Sequence, residues 1–167
     1  MKLTSAEANK MIRALKDQHR LLALQEDNIL SFIAATTENV DEVRPPYSYE
    51  ETVAKYDEIE RKIRTIKHAL NVFNATTVVD GFDMTIDEML VFLPQTSERL
   101  RKLEDMLAKP EKSRAMNTGR TSIIEYEYLN YDLQKVQEDY DALMDLKSRA
   151  LTALDVVNNT VPFEVEL

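Results

Sequence analysis

Cysteine and tryptophan are absent from this chain of 167 residues, and glycine and histidine occur only twice each. Without cysteine the protein can form no disulfide, no thiolate nucleophile and no cysteine-ligated metal centre. Its two glycines, Gly81 and Gly119, stand far apart, which excludes a glycine-rich phosphate loop. The two histidines, His19 and His68, lie in no Glu-x-x-His spacing, which disfavours a di-iron bundle. The sequence carries no enzyme signature, and we expect no cofactor and no metal.

Negative charge is in excess: 30 Asp and Glu stand against 21 Lys and Arg, a formal net charge of −9. General nucleic-acid binders and binders of anionic membranes need excess positive charge, so both kinds of partner are disfavoured. No apolar run approaches the roughly 20 residues that span a bilayer, and the start of the chain lacks the basic and apolar stretches of a signal peptide. We therefore expect a cytoplasmic protein that forms a single domain over residues 1–167.

Two regular seams, apolar except for one lysine, stand out in the remaining sequence. Their members are spaced by alternating threes and fours: first Tyr56, Ile59, Ile63, Ile66, Leu70 and Phe73, then Leu133, Val136, Tyr140, Leu143, Lys147, Ala150, Leu154 and Val157. Residues set about 3.5 apart stay on one side of an α-helix and make long helices pack lengthwise. The pattern predicts a mainly α fold, an antiparallel, coiled-coil-like hairpin or bundle of long helices with a small antiparallel β-sheet at one end.

Local signals predict where these elements begin and end. Three helix starts carry a capping box, in which a hydroxyl residue and a Glu three positions later satisfy free backbone N–H groups: Thr4 with Glu7, Ser48 with Glu51, and Thr85 with Glu88. We predict a first helix over residues 5–37, which ends before Pro45-Pro46, and a second over 49–74. A third is predicted over 86–108, with a kink or break at Pro94. Alternating or β-branched residues, and an Asp-Gly turn, predict strands near residues 77–84, 122–128 and 161–167.

Several short motifs follow one another in an informative order. They are residues 66–77 (IKHALNVFNATT), Gly81, residues 84–88 (MTIDE), Arg114 and Arg120 before Ile124-Glu125, and residues 154–158 (LDVVN). Together they resemble the septicolysin-like proteins, a family of small bacterial helical proteins. The resemblance implies a helical hairpin, a glycine turn, a helix begun by threonine, an arginine-containing loop before a strand, and a final helix. It does not imply membrane lysis, because no membrane-inserting segment is visible.

Polar residues interrupt the apolar faces at three positions. His19 and Glu26 lie one heptad apart on the apolar face of the first helix, and Lys147 occupies a position in the last seam. A buried imidazole and carboxylate can form half of a metal site or an acid–base pair. We favour a structural role in which each hydrogen-bonds across the bundle, Glu26 with Lys147 for example, because polar groups in such seams fix helix register.

The main candidate for ligand binding is a basic loop, residues 109–120, which carries Lys109, Lys112, Arg114 and Arg120 against a lone Glu111. Arginine and lysine hold phosphates and carboxylates, and bases stack on aromatic rings such as the nearby Tyr126, Tyr128 and Tyr131. The alternative is a solvated loop whose cations pair with Glu125, Glu127 or a neighbouring subunit.

A second candidate site consists of His68 and Asn71, one turn apart on the second helix, which could bind a small polar ligand. Such residues more often cap a helix end and bridge to the next turn.

The leading functional hypothesis is a non-enzymatic, oligomeric helical protein that acts as an interaction module or scaffold. The first helix is apolar on more than one face, with Ala14, Leu21 and Phe32 on a second face and Leu24 on a third. Exposed apolar patches mark interfaces, so we predict a homo-oligomer, together with an unidentified protein partner. The alternative is a protein that binds a nucleotide or RNA through the basic loop. A weaker alternative is a toxin-like, membrane-active protein.

Overall fold

The computed structural model describes residues 1–115 and 124–167 and is mainly helical (66%). Its elements in chain order are β1 (Lys2–Thr4), α1 (Ser5–Asp27), α2 (Val40–Val43), α3 (Tyr49–Thr76), α4 (Ile86–Leu107), β2 (Lys112–Arg114), β3 (Tyr126–Tyr128), α5 (Leu133–Thr160) and β4 (Pro162–Glu164). The predicted mainly α class is confirmed, and the described strands form two small antiparallel sheets.

Internal contacts divide the chain into two compact units. The first unit comprises Met1–Thr76 and Val156–Leu167, and the second unit comprises Thr77–Asp155. Helix α5 begins in the second unit, and its last residues belong to the first. The single domain over residues 1–167 stays a prediction, and each unit is described by itself.

The core of the first unit lies where α1 packs on α3. Its buried members come from both helices and from both ends of the chain: Leu3, Ala8, Ile12, Leu15, Ile66, Leu70 and Val165. The α3 residues Ile66 and Leu70 belong to the predicted seam, and Ile66 is completely buried. Apolar spacing thus predicted correctly which face of α3 is buried.

Capping boxes start two of the long helices as predicted. Thr4 and Glu7 satisfy each other's backbone N–H groups at the start of α1, and Thr85 and Glu88 do so at the start of α4. At the start of α3, the Glu51 N–H donates to Ser48 Oγ over 3.4 Å.

Helix α1 ends at Asp27, well before the predicted end at residue 37. Opposite this point, Tyr47 donates its hydroxyl to Glu26, and α3 begins only at Tyr49. A longer α1 would have no facing turn of α3 on which to bury its apolar side. Its last turn also carries Glu26 and Asp27 and no basic residue, which is unfavourable at the negative end of a helix dipole.

A strand that the sequence did not predict, β1, pairs with the predicted C-terminal strand. The antiparallel register joins Leu3 with Phe163, and the Met1 amino group and Val165 exchange main-chain hydrogen bonds of 2.7 and 2.8 Å. Phe163 also stacks on Phe73 of α3, with ring centroids 4.8 Å apart. Of the predicted strand over residues 161–167, the structure has Pro162–Glu164 as strand, and the pair of Val165 with Met1 continues the ladder by one residue.

Residues 77–84 form a turn in place of the predicted strand pair. Their described pairing is one isolated bridge, between Val78 and Thr85. The Phe82 N–H donates to Val79 O over 3.1 Å, and Gly81 has a φ of 77°, which corresponds to a type II turn. Because Thr85 already caps α4, no residues remain on that side to extend a strand.

Pro94 lies inside α4 without splitting it. Proline has no N–H to donate to the preceding turn. Around it, the hydroxyl of Thr96 donates to Phe92 O over 2.9 Å, and that of Ser97 donates to Leu93 O over 2.8 Å. These side-chain hydrogen bonds link the turn that contains the proline to the turn before it.

We expect Ile66→Ala to destabilise the protein by about 2–5 kcal/mol, because it opens a cavity in the core between α1 and α3. Val72→Ala, on the half-exposed side of the same helix, is the matched control and should change stability by no more than about 0.5 kcal/mol. Urea unfolding followed by circular dichroism measures both. Equal effects of the two substitutions would contradict the assigned core.

Candidate functional site

Part of the predicted basic loop forms a strand. In the second unit, β2 and β3 pair antiparallel, with Lys112 opposite Tyr128 and Arg114 opposite Tyr126. Two further main-chain hydrogen bonds extend the ladder, from the Ala115 N–H to Glu125 O at 3.0 Å and from the Leu129 N–H to Glu111 O at 3.2 Å. The strand predicted over residues 122–128 is therefore present over Tyr126–Tyr128, and residues 122 and 123 lie outside the described residues.

The register of this hairpin sorts its charges by face. Successive residues of a strand point to opposite faces, and directly paired residues share a face. One face therefore carries Lys112, Arg114, Tyr126 and Tyr128, and we call it the cation–aromatic face. The opposite face carries the acidic residues Glu111, Glu125 and Glu127, together with Ser113, and we call it the acidic face. Every lysine and arginine of the ladder is thus separated from every glutamate.

The cation–aromatic face is open to solvent. The Lys112 ammonium lies 4.1 Å from the centre of the Tyr126 ring and 5.3 Å from that of Tyr128, within the range of cation–π attraction. The two rings are 49% and 62% exposed. Neither Lys112 nor Arg114 forms an ion pair with a carboxylate of the described residues. The suggested pairing of these two cations with Glu125 or Glu127 is therefore absent, whereas the solvated loop and the pairing with a neighbouring subunit stay predictions.

The base of the hairpin is tied to the preceding helix. The Tyr131 hydroxyl donates to Met106 O, in the last turn of α4, over 2.7 Å. Beside the hairpin a pocket of about 290 Å³ is lined by Lys109, Pro110, Ser113, Glu127, Tyr128 and Leu129. Its lining thus holds one cation and one carboxylate.

The other predicted ligand residues are Arg120, His68 and Asn71. Arg120 lies outside the described residues. His68 and Asn71 are exposed on α3, in the first unit, one helical turn apart. Nearby, the side-chain oxygen of Asn74 is buried and accepts no hydrogen bond from a described residue.

The polar residues of α1 bond across to the α3 side, but to partners that the sequence did not predict. His19 Nε2 lies 3.3 Å from Glu60 Oε1, and its ring lies 4.8 Å from that of Tyr56. Glu26 accepts the hydroxyl of Tyr47 at 2.5 Å on one oxygen and that of Tyr56 at 2.9 Å on the other. Its partners within the first unit are thus tyrosines, and the suggested pairing with Lys147 stays a prediction. The sequence indicated Tyr56 through its position in the predicted seam. No pattern in the sequence indicated Tyr47, which precedes α3.

Glu26 also perturbs the titration of both tyrosines. The hydrogen bond to its carboxylate raises the pKa of Tyr47 to about 12, because ionised Tyr47 would lose that bond and face a negative charge. The pKa of Tyr56 is raised by desolvation and then by its hydrogen bond to Glu26. Among residues 1–115 and 124–167, no three carboxylate or histidine side chains are arranged to hold a metal ion. The arrangement of Glu26 and His19 therefore joins α1 to the α3 side.

Comparison with known proteins gives a likeness of fold. No family model matches the chain, and no curated protein matches it. The crystal structure of a conserved protein of unknown function from Corynebacterium diphtheriae is similar, with 15% identity and a TM-score of 0.56 over 98% of this chain and 100% of that one. Because the identity is this low, the comparison shows a similar fold only.

In the part of the chain that the structure describes, no helix combines the length and apolarity needed to cross a bilayer.

We predict that Glu26→Gln returns the pKa of Tyr47 from about 12 toward its ordinary value of about 10. The folded-state pKa is raised, so this contribution to stability is complete below about pH 10 and is lost as the pH rises through about 12. A pH titration of the tyrosine ring signals by NMR measures the shift. Glu98→Gln, on an exposed site of α4, is the control. An unchanged Tyr47 titration in Glu26→Gln would contradict the assigned hydrogen bond.

Proposed function

We propose that this protein is a non-enzymatic, cytoplasmic interaction module that associates with itself and with a protein partner. The observation that carries the proposal is the apolar surface left open on the first unit. Leu21 and Leu24 of α1 are 55% and 54% exposed. The connection from α1 to α3 adds Leu30, Phe32, Ile33, Val40 and Val43, of which Ile33 is 98% exposed. Exposed apolar residues in such number on one unit are typical of interfaces.

A groove beside α1 and α3 supports self-association. It has a volume of about 370 Å³ and is lined from α1 by Leu15, Gln18, Leu21, Leu22 and Gln25, and from α3 by Lys55, Glu58, Ile59 and Lys62. Its apolar centre and mixed charges match the requirements of a packed helix from a second copy, with apolar contact inside and charged residues at the rim.

The finer architecture and the family belong to the same proposal. We infer that α1 and α3 form a coiled-coil-like antiparallel hairpin. Supporting this, the later α1 residue Glu26 meets Tyr56, whereas the earlier His19 meets the later Glu60. We also infer kinship with the septicolysin-like proteins, supported by the turn at Gly81, the helix begun at Thr85 and the strand that follows Arg114.

If α1 provides the interface, Leu21→Glu combined with Leu24→Glu should convert an oligomer into a monomer of 19.3 kDa. A stable dimer needs about 800 Å² buried on each subunit, and two charges at its centre would be desolvated without partners. Light scattering coupled to size exclusion measures the mass. The control is Leu90→Glu with Val91→Glu, similarly exposed residues of α4. A monomeric wild type, or dissociation in the control alone, would refute this interface.

A second candidate function is binding of a phosphate-bearing ligand, a nucleotide or RNA, at the cation–aromatic face. The observation that favours it is the separation of Lys112 and Arg114 from the glutamates of the same hairpin. Cations without carboxylate partners can bind a phosphate without first breaking an ion pair. An adjacent tyrosine ring can stack on a base.

The change Lys112→Ala with Arg114→Ala should abolish binding of phosphate-bearing probes and leave stability within about 0.5 kcal/mol, since both side chains are exposed. Wild-type affinity should fall as salt rises. Fluorescence anisotropy with a labelled nucleotide and a labelled RNA strand measures both effects. Lys135→Ala with Arg149→Ala removes the same charge from α5 and is the control. Loss of the oligomer in the hairpin variant, without any wild-type binding, would reassign the hairpin to a subunit interface.

A further inference from the structure

The cation–aromatic face presents two tyrosine rings at a fixed separation. Tyr126 and Tyr128 are two residues apart on β3 and point to the same face. A strand rises about 3.3–3.4 Å per residue, so the two rings are attached roughly 6.7 Å apart. This is about twice the 3.4 Å rise between stacked nucleotides. The two rings therefore suit two neighbouring bases that have been drawn apart, each stacked on its own ring.

The cations are placed to complement such a strand. Lys112 lies across the hairpin from Tyr128, and Arg114 lies across from Tyr126. The Lys112 ammonium lies over both rings, 4.1 and 5.3 Å from their centres, so each base would stack on ring surface that this ammonium leaves open. A phosphate that links two bases stacked on these rings would meet this ammonium and the Arg114 guanidinium.

Some lysines and arginines of the described residues are paired with carboxylates, although most are not. Those on helices pair one turn away in the sequence, for example Lys62 with Glu58 at 2.6 Å, Lys135 with Asp139 at 2.8 Å and Arg149 with Asp145 at 2.9 Å. Lys112 and Arg114 have no such partner among the described residues. Binding a phosphate there replaces solvent and counterions only.

The shape of the site favours an extended ligand over a small one. Small ligands bind in concave pockets that cover most of their surface, whereas the rings of Tyr126 and Tyr128 are 49% and 62% exposed on an open face. On the cation–aromatic face, a mononucleotide can use only one open ring at a time. A strand of two or more nucleotides can use both rings and both cations together.

We propose that the cation–aromatic face binds single-stranded nucleic acid, with two successive bases stacked on Tyr126 and Tyr128 and the linking phosphate held by Lys112 and Arg114. This rests on the second candidate function, binding of a phosphate-bearing ligand. The net charge of −9 repels a polyanion elsewhere on the protein, which confines the contact to this hairpin and keeps it short.

The probe is fluorescein-labelled octauridylate, measured by fluorescence anisotropy and competed with unlabelled uridylyl-uridine and with uridine monophosphate. Tyr126→Ala with Tyr128→Ala should weaken octauridylate binding about thirtyfold or more, because base–aromatic stacking contributes roughly 1–3 kcal/mol per base. Tyr126→Phe with Tyr128→Phe keeps both rings and should bind like wild type. With one phosphate neutralised, the logarithm of affinity should fall with the logarithm of salt with a slope of about −0.7.

The outcomes separate this proposal from the one on which it rests. If uridine monophosphate competes as well as uridylyl-uridine, phosphate-ligand binding stands and the two-base proposal is refuted. If Tyr126→Ala with Tyr128→Ala binds like wild type, stacking is refuted while the charge contacts remain. If the control Lys135→Ala with Arg149→Ala loses as much octauridylate affinity as Lys112→Ala with Arg114→Ala, the binding is unspecific electrostatic attraction. That result would refute both proposals. No binding of any probe to folded wild type, checked by circular dichroism, also refutes both.

Discussion

The main-chain pairing of β1 with β4 is the constraint on which the first unit depends. Helix α1 begins directly after β1 through the Thr4 capping box, so the position of β1 sets the start of α1. Helix α3 is anchored to the other strand, because Phe73 stacks on Phe163. Leu3 and Val165, from the two strands, are buried in the same core as Ile66 of α3. The two helices are thereby held to a common pair of strands at one end.

Helices were predictable to the extent that their determinants are local. A capping box needs only four consecutive residues, and a seam needs only regular spacing, so the starts of α1 and α4 and the buried face of α3 were predicted correctly. The end of α1 was not, because it depends on where α3 begins, a partner far along the chain. Strand β1 escaped prediction for a related reason: three residues carry no period, and their partner lies at the other end of the sequence.

For the candidate site, the residues could be identified from the sequence, but which of them share a face depends on the register of the hairpin. Lys112, Arg114, Tyr126 and Tyr128 could all be selected from the sequence as a basic stretch beside aromatic residues. Whether the cations would meet the rings or the glutamates depends on which residue pairs with which across the hairpin, and a shift of one residue would exchange the faces. The cross-helix partners of Glu26 and His19 depend in the same way on the alignment of α1 with α3.

The pairing of Met1 with Val165 has a consequence for synthesis of the chain on the ribosome. The residues of β1 and α1 emerge early, but β4 is made only after all of Thr77–Asp155. Domains fold as their residues become available during synthesis, and contacts between distant residues form slowly. Until β4 is released, β1 has an open edge and Leu3 and Ile12 lack part of their cover. The first unit therefore cannot close until the second unit has been synthesised.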